Sequence, residues 1–163
     1  MNITLAPMAS EDREQVVDIF NYYVENTFAA YPDQKVPYDF FDVLLNMCQG
    51  YPSVTARDAE GNVVGFGMLR PYNTVPSFSG TAEITYFVKQ EFTRKGIGKK
   101  LLEYLIAAGR GNNLTSILAS VSSLNEGSLK FHVKNGFTEC GRFRDVGRKK
   151  GRAFDVVYFQ RKL

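Results

Sequence analysis

The run Arg94-Lys95-Gly96-Ile97-Gly98-Lys99-Lys100 constrains this chain more than any other stretch. A strand-like segment precedes it, Glu83-Ile84-Thr85-Tyr86-Phe87-Val88. A helix with apolar periodicity follows, marked by Leu101, Leu102, Leu105 and Ile106. Strand, glycine turn and helix in this order aim free backbone N–H groups at one point, which suits an anion. The charges sharpen the reading. A helix N-terminus carries partial positive charge and favours Asp or Glu. Here Arg94, Lys95, Lys99 and Lys100 stand in the turn and the first helical turn instead. That placement is unfavourable unless an anion neutralises it, so a phosphate-bearing ligand is expected on the turn. A solvated basic surface with two turn glycines is the plainer alternative, and the spacing alone does not separate the two.

The remaining sequence sets bounds. A chain of 163 residues suffices for one domain with a real core and is short for two. An apolar content of 44% predicts a globular protein rather than a disordered one. A net charge of +3 does not call for nucleic acid. Cys48 and Cys140 lack metal-ligand spacing and make no disulfide framework, which predicts reduced, intracellular thiols. No metal site is visible. No apolar run reaches membrane-spanning length, and Met1-Asn2-Ile3-Thr4-Leu5 lacks the shape of a signal peptide, so a cytoplasmic protein is expected with no membrane partner.

In chain order, Ile3 and Leu5 alternate as a short strand. Ser10 or Asp12 is placed to cap a helix in which Val16, Val17, Ile19, Phe20, Tyr23 and Val24 recur to about Glu25. An aromatic loop follows from Asn26 to Asp33. Pro37 suits a first helical position, and Phe40, Phe41, Leu44, Leu45 and Cys48 face a core before Gly50 ends that helix. Ser53–Arg57 and Val63–Leu69 read as strands around an Asp58–Asn62 turn, with Gly65 and Gly67 allowing close backbone approach. After the central strand and its helix, Thr115–Val121 is a strand, and Asn125 opens a short helix that ends at Asn135-Gly136. Phe137–Phe143 and Phe154–Phe159 are strands joined by a connector over Asp145–Arg152. The order β-α-α-β-β-β-α-β-α-β-β predicts one α/β domain around a mixed sheet.

At Thr93-Arg94-Lys95-Gly96-Ile97-Gly98 the chain resembles the acyl-CoA-binding motif of the GNAT acyltransferases, Gln/Arg-x-x-Gly-x-Gly/Ala. It departs from that pattern at Thr93. Asn125-Glu126-Gly127-Ser128 through His132 to Gly136-Phe137 is similar to the family's Asn-x-x-Ala/Ser…Tyr/His…Gly-Phe segment. Glu83 ahead of Thr85-Tyr86, Asn26-Thr27-x-Ala29, His132, and the tail Val146–Val157 together resemble the phosphinothricin acetyltransferase branch, which includes acetyltransferases of methionine sulfoximine and small amino acids. The resemblance runs nearly end to end. It implies a GNAT-like fold over residues 1–163: a mixed, mostly antiparallel central sheet of about seven strands flanked by about four helices.

The implied reaction is acetyl transfer from acetyl-CoA to the primary amine of a small acceptor, with both substrates bound at once. The resemblance puts the diphosphate on the N–H groups of Arg94, Lys95, Gly96, Ile97, Gly98 and Lys99. It puts the thioester carbonyl and pantetheine arm along the backbone of Tyr86, Phe87 and Val88, with the Val88 N–H as oxyanion donor. Asn125 and Ser128 would border the arm. Most of an alkylamine arrives protonated, so something must accept that proton. By residues alone Glu83 reads first as a strand glutamate in a salt bridge; the resemblance makes it the base. His132, the only histidine, would protonate the leaving thiolate or orient the cofactor. Thr27, Phe28, Tyr31, Tyr72 and Phe78 are candidates for the acceptor pocket, and Arg70 or Arg148 for gripping an acceptor carboxylate. Each arginine taken singly reads better as a solvated one. Family members usually pair, so a homodimer is expected, with Phe154–Phe159 available for contact. Other readings are an acyltransferase acting on a protein N-terminus, lysine or polyamine; a nucleic-acid surface along Arg142, Arg144, Arg148, Lys149, Lys150 and Arg152; and a CoA-binding module without turnover.

Overall fold

The computed structural model describes residues 1–163. Seven strands form one sheet: β1 (Thr4–Ala6), β2 (Ser53–Arg57), β3 (Val63–Pro71), β4 (Thr81–Val88), β5 (Ser116–Ser122), β6 (Thr138–Lys149) and β7 (Arg152–Lys162). Four helices cover it: α1 (Arg13–Asn26), α2 (Phe40–Met47), α3 (Ile97–Gly111) and α4 (Glu126–Lys134). The sheet order is β1-β2-β3-β4-β5-β7-β6, and every neighbouring pair is antiparallel except β4 with β5. This is the mixed, mostly antiparallel architecture expected from the sequence.

Strand alternation divides the sheet into two faces. One face packs on α3 and carries Ala82, Ile84, Tyr86 and Val88 from β4, with Ile117, Ala119 and Val121 from β5. The other packs on α1 and α2 through Phe66, Met68 and the partly buried Phe87. Residues one apart on a strand face opposite ways, so Glu83 and Thr85 share the α1–α2 face with Phe87. Helix α1 presents Val16, Val17, Phe20 and Val24 to that face at helical spacing. On the α3 face, Gly65 and Gly67 let the helix press close. A Cβ on Gly67 would stand 2.9 Å from Tyr86 Cβ and 3.0 Å from Leu105 Cδ1.

The feature that positions the site is a break in pairing. Strands β4 and β5 are joined only over Thr81–Glu83 against Ser116–Leu118. Beyond Glu83, β4 stays with β3 as far as Val88, while β5 stays with β7 as far as Ser122. A wedge opens between the two parallel strands.

Three expectations change. The stretch Asp145–Arg152 is not a connector. Strand β6 runs on to Lys149, β7 starts at Arg152, and Lys150 and Gly151 alone make the turn, with φ of 51° and 72°. Strand β6 is exposed along nearly its whole length, so no apolar alternation marks it. Strand β7 lies inside the sheet, whose edges are β1 and β6. Asp12 does not cap α1. It is fully buried, and its carboxylate takes the Ala9 N–H at 2.9 Å and the Arg57 guanidinium. Pro37 lies three residues before α2, where its carbonyl accepts the Phe40 N–H at 2.9 Å.

The close seat of α3 gives a stability test. Gly67→Ala forces Tyr86 and Leu105 apart, and overpacking of this kind costs about 1–3 kcal/mol. Denaturant unfolding should show the loss, with the folded far-ultraviolet spectrum kept.

Candidate active site

Between β4 and α3 the chain turns at Arg94 (φ 59°) and Gly96 (φ 82°). The Thr93 N–H is bonded to the Gln90 carbonyl and the Lys100 N–H to the Gly96 carbonyl. The six amides between them, Arg94 to Lys99, donate to no protein acceptor. Buried Ile97 pins the start of α3. A Cβ on Gly98 would point at the Phe131 ring, 3.6 Å away, and at Val88 Cγ2, 3.9 Å away. The turn, the end of β4 and α4 therefore converge on one space. Such a row of fixed donors with surrounding cations suits a diphosphate. Lys95 leans over the Phe92 ring at 5.1 Å, whereas Lys99 points outward to Glu103 at 3.6 Å.

Register decides which β4 backbone groups are free. The Lys89 N–H donates to the Val64 carbonyl at 2.8 Å, and the aligned pairs run Gly65↔Val88, Phe66↔Phe87, Gly67↔Tyr86. Antiparallel pairs alternate between bonded and unbonded. Phe87 therefore spends its N–H and C=O on Phe66, which removes it from the cofactor-binding backbone. Tyr86 and Val88 turn theirs into the wedge. The Val88 carbonyl accepts the Tyr23 hydroxyl at 2.5 Å, and the Val88 N–H remains free for an oxyanion. Burial pushes Tyr23 up to about 12, so its hydroxyl stays protonated and keeps donating. The sequence marked Tyr23 only as a core position of α1.

His132 is only 4% exposed. Its Nδ1 lies 2.7 Å from the Ser128 carbonyl, which can only accept, so Nδ1 carries the proton. The neutral ring then offers a lone pair at Nε2, where the Tyr86 hydroxyl donates at 2.7 Å. Phe137 meets the ring edge-on at 4.9 Å and Phe159 stacks on it at 5.5 Å. Desolvation holds its pKa below the ordinary 6.5, against the opposing Ser128 carbonyl. Burial likewise pushes the Tyr86 hydroxyl far up. A neutral imidazole whose single N–H is spent on a carbonyl has no proton to give a thiolate. His132 instead braces Tyr86 against the wall of the wedge. Asn125 accepts the Ser128 N–H at 3.2 Å and so caps α4; its remaining groups and Ser128 border the same wall.

The other face carries Glu83. Its carboxylate meets Arg70 Nη2 at 2.7 Å, directly across the β3–β4 ladder. Arg70 is therefore occupied and not free to grip an acceptor in this arrangement, and its buried Nε has no partner. Tyr31 lies beside Ser120 and Tyr158 and stacks on Phe154 at 5.8 Å. Phe28 meets Phe154 edge-on at 6.2 Å, with Arg152 above it at 5.9 Å. Thr27 acts as a turn residue: its hydroxyl donates to the Tyr23 carbonyl at 2.7 Å and accepts the Ala29 N–H at 3.0 Å. Tyr72 and Phe78, both exposed, pack on each other at 5.7 Å in the loop before β4. Arg148 donates to the Gly151 carbonyl at the hairpin tip. No three His, Cys, Asp or Glu side chains gather where they could hold a metal ion.

The geometry thus brings a row of free amides, a wedge with free strand N–H groups, and a carboxylate on its far face into one site. The acetyltransferase (GNAT) family model matches residues 16–137, and the chain belongs to that family. It is 30% identical to phosphinothricin N-acetyltransferase of Streptomyces coelicolor, over 99% of this chain and 96% of that protein. It is also 30% identical to the L-methionine sulfoximine/L-methionine sulfone acetyltransferase of Pseudomonas paraeruginosa, over 100% of this chain and 96% of that protein. Among solved structures, a GNAT superfamily phosphinothricin acetyltransferase from Sinorhizobium meliloti in complex with acetyl-CoA superposes with a TM-score of 0.94. That pair shares 25% identity over 100% of this chain and 89% of the other.

A single histidine makes the imidazole directly readable. Its nitrogen resonances should report an Nδ1–H tautomer that titrates below 6.5, and Tyr86→Phe should move that titration upward. Because burial depresses the folded value, the unfolded chain takes up the proton first on acidification. His132 therefore contributes stability above about pH 6.5 that is lost as pH falls through the lower folded value. The melting temperature should drop from about pH 7 to about pH 5, and less so in His132→Gln.

Proposed function

We propose that this chain transfers the acetyl group of acetyl-CoA to the primary amine of a small amino acid or analogue, of the phosphinothricin or methionine sulfoximine kind, within one domain. The observation that carries this reading is the wedge. The six free amides from Arg94 to Lys99 lie at its mouth, the free Val88 N–H lines it, and Glu83 stands on the opposite face. An acyl donor entering past Gly98 meets an acceptor arriving from the α1–α2 side without either crossing the other.

The residues act in sequence. The turn amides hold the diphosphate, joined by the side chains of Arg94, Lys95 and Lys100. Tyr86 and Val88 align the arm by strand-like pairing. The Val88 N–H stabilises the oxyanion that forms when the amine attacks, a contribution of about 3–4 kcal/mol in comparable sites. Glu83, oriented by Arg70, takes the proton that the ammonium loses before attack, and the second nitrogen proton passes to solvent as the adduct collapses and the thiolate leaves. The thiol of a coenzyme leaves readily as an anion, and His132 supplies the rigid wall behind Tyr86 rather than the proton. Transfer is direct: Cys48 is buried at the C-terminal end of α2, and Cys140 is exposed on the edge strand β6.

We further infer residence in the cytoplasm, supported by two free cysteines, one of them exposed. No helix is long and apolar enough to cross a membrane. Pairing into a homodimer is supported by β6, a long edge strand that exposes Phe143 and Val146.

The test is thiol release from acetyl-CoA with a panel of amino acids, the two glutamate analogues and polyamines. A small amino acid or analogue should give the highest kcat/KM. Glu83→Gln should lower kcat about 100-fold or more near neutral pH and less at high pH, where free amine is abundant. An unchanged neutral-pH rate removes Glu83 from the mechanism.

A further inference from the structure

Lys149 is only 1% exposed, yet no carboxylate makes ion-pair contact with it. Its ammonium donates to the Thr27 carbonyl and to the Ala30 carbonyl, each at 2.7 Å. Both belong to the loop after α1 that carries Phe28 and Tyr31. Next to it, Lys150 donates to the Glu25 carbonyl at the end of α1. A buried charge without a counter-ion is costly, and burial together with Lys150 pushes the Lys149 pKa down, with Asp33 opposing. The tip of the β6–β7 hairpin is thus clamped to this one loop by a cation that packing alone does not require.

Peptide planarity says what the clamp achieves. In a trans peptide the N–H points opposite to the C=O it is joined to. With the Thr27 carbonyl drawn onto Lys149, the Phe28 N–H points away from it. With the Ala30 carbonyl drawn there too, the Tyr31 N–H does the same. Neither N–H has a partner in the protein, whereas the Ala29 N–H between them is taken by the Thr27 hydroxyl. Tyr31 lies beside Ser120, and Ser120 follows Leu118, the residue aligned with Glu83, by two positions on the same face of β5. The loop therefore borders the side of the wedge from which the amine arrives. The loop of residues 72–80 on the other flank contains no charged side chain, and Arg70 is spent on Glu83.

We propose that Lys149 is a positioning residue for the acceptor: it fixes the Thr27–Phe28 and Ala30–Tyr31 peptides so that their N–H groups receive the acceptor's anionic group, with its own positive charge behind them. The proposal rests on the acetyl-transfer reading and assigns the acceptor's acid group, rather than its amine, to the Thr27–Tyr31 loop. Arg70 then stays with Glu83 throughout the reaction.

Lys149→Met tests this with two acceptors, an amino acid that the wild-type chain acetylates and the same amine lacking the carboxylate. The KM for the amino acid should rise about tenfold or more, while the KM for acetyl-CoA and the rate with the carboxylate-free amine stay unchanged. An equal loss with both acceptors, or a raised KM for acetyl-CoA, overturns the proposal. Should Lys149→Met fail to fold by circular dichroism, the wild-type chain decides. It should prefer the amino acid over the carboxylate-free amine by about tenfold in kcat/KM, and equal use of the two overturns the proposal. Thiol release with neither acceptor nor any other amine overturns the acetyl-transfer reading itself, and this proposal with it.

Discussion

Everything in this molecule depends on where β4 lets go of β5. A parallel pair this deep in a sheet would ordinarily bury its polar edges in a continuous ladder. Here three residues of pairing hold the sheet together, and the rest of each strand is carried by its other neighbour. Unpaired strand amides inside a protein are costly, so such an opening persists only because two well-packed half-sheets hold it. Helix α3 fixes one half through Leu101 and Leu105 against Gly65 and Gly67. Helix α1 fixes the other side of the same strands through Phe20 against Phe87. The site is an interruption of secondary structure stabilised by tertiary packing on both sides.

The two faces of β4 carry different side chains for one geometric reason. Side chains one residue apart on β4 point in opposite directions, so Glu83 and Tyr86 cannot share a pocket, although three positions separate them. One face carries the Arg70–Glu83 ion pair. On the other, Tyr86, His132, Phe137 and Phe159 pack together. The cations cluster at the one place where the backbone also points donors outward, so the two contributions to anion binding coincide.

The fold was largely legible in the sequence because apolar periodicity follows burial. The eleven elements fall in the expected order, and Gly65, Gly67 and Asn125 do what their types and positions indicate. The continuation of β6 from Arg144 to Lys149 was missed because almost all of it is exposed. The turn was legible because glycines and charges announce it. Long-range contacts were not. Tyr23 on Val88, Arg70 on Glu83 and Lys149 on Thr27 and Ala30 each join residues far apart in sequence, and nothing local distinguishes a lysine destined for burial from its solvated neighbours. Parity also had to come from register: Phe87 and Val88 look alike as letters, and only the ladder says whose amide is free.

One short segment of α1 has a consequence of its own. Tyr23 holds the Val88 carbonyl with its hydroxyl, while its own carbonyl receives both the N–H and the hydroxyl of Thr27, one helical turn later. The loop that carries Phe28 and Tyr31 is therefore tied, through a single residue, to the end of β4. One residue of α1 thus fixes a strand end and a loop start together, and its loss would release both.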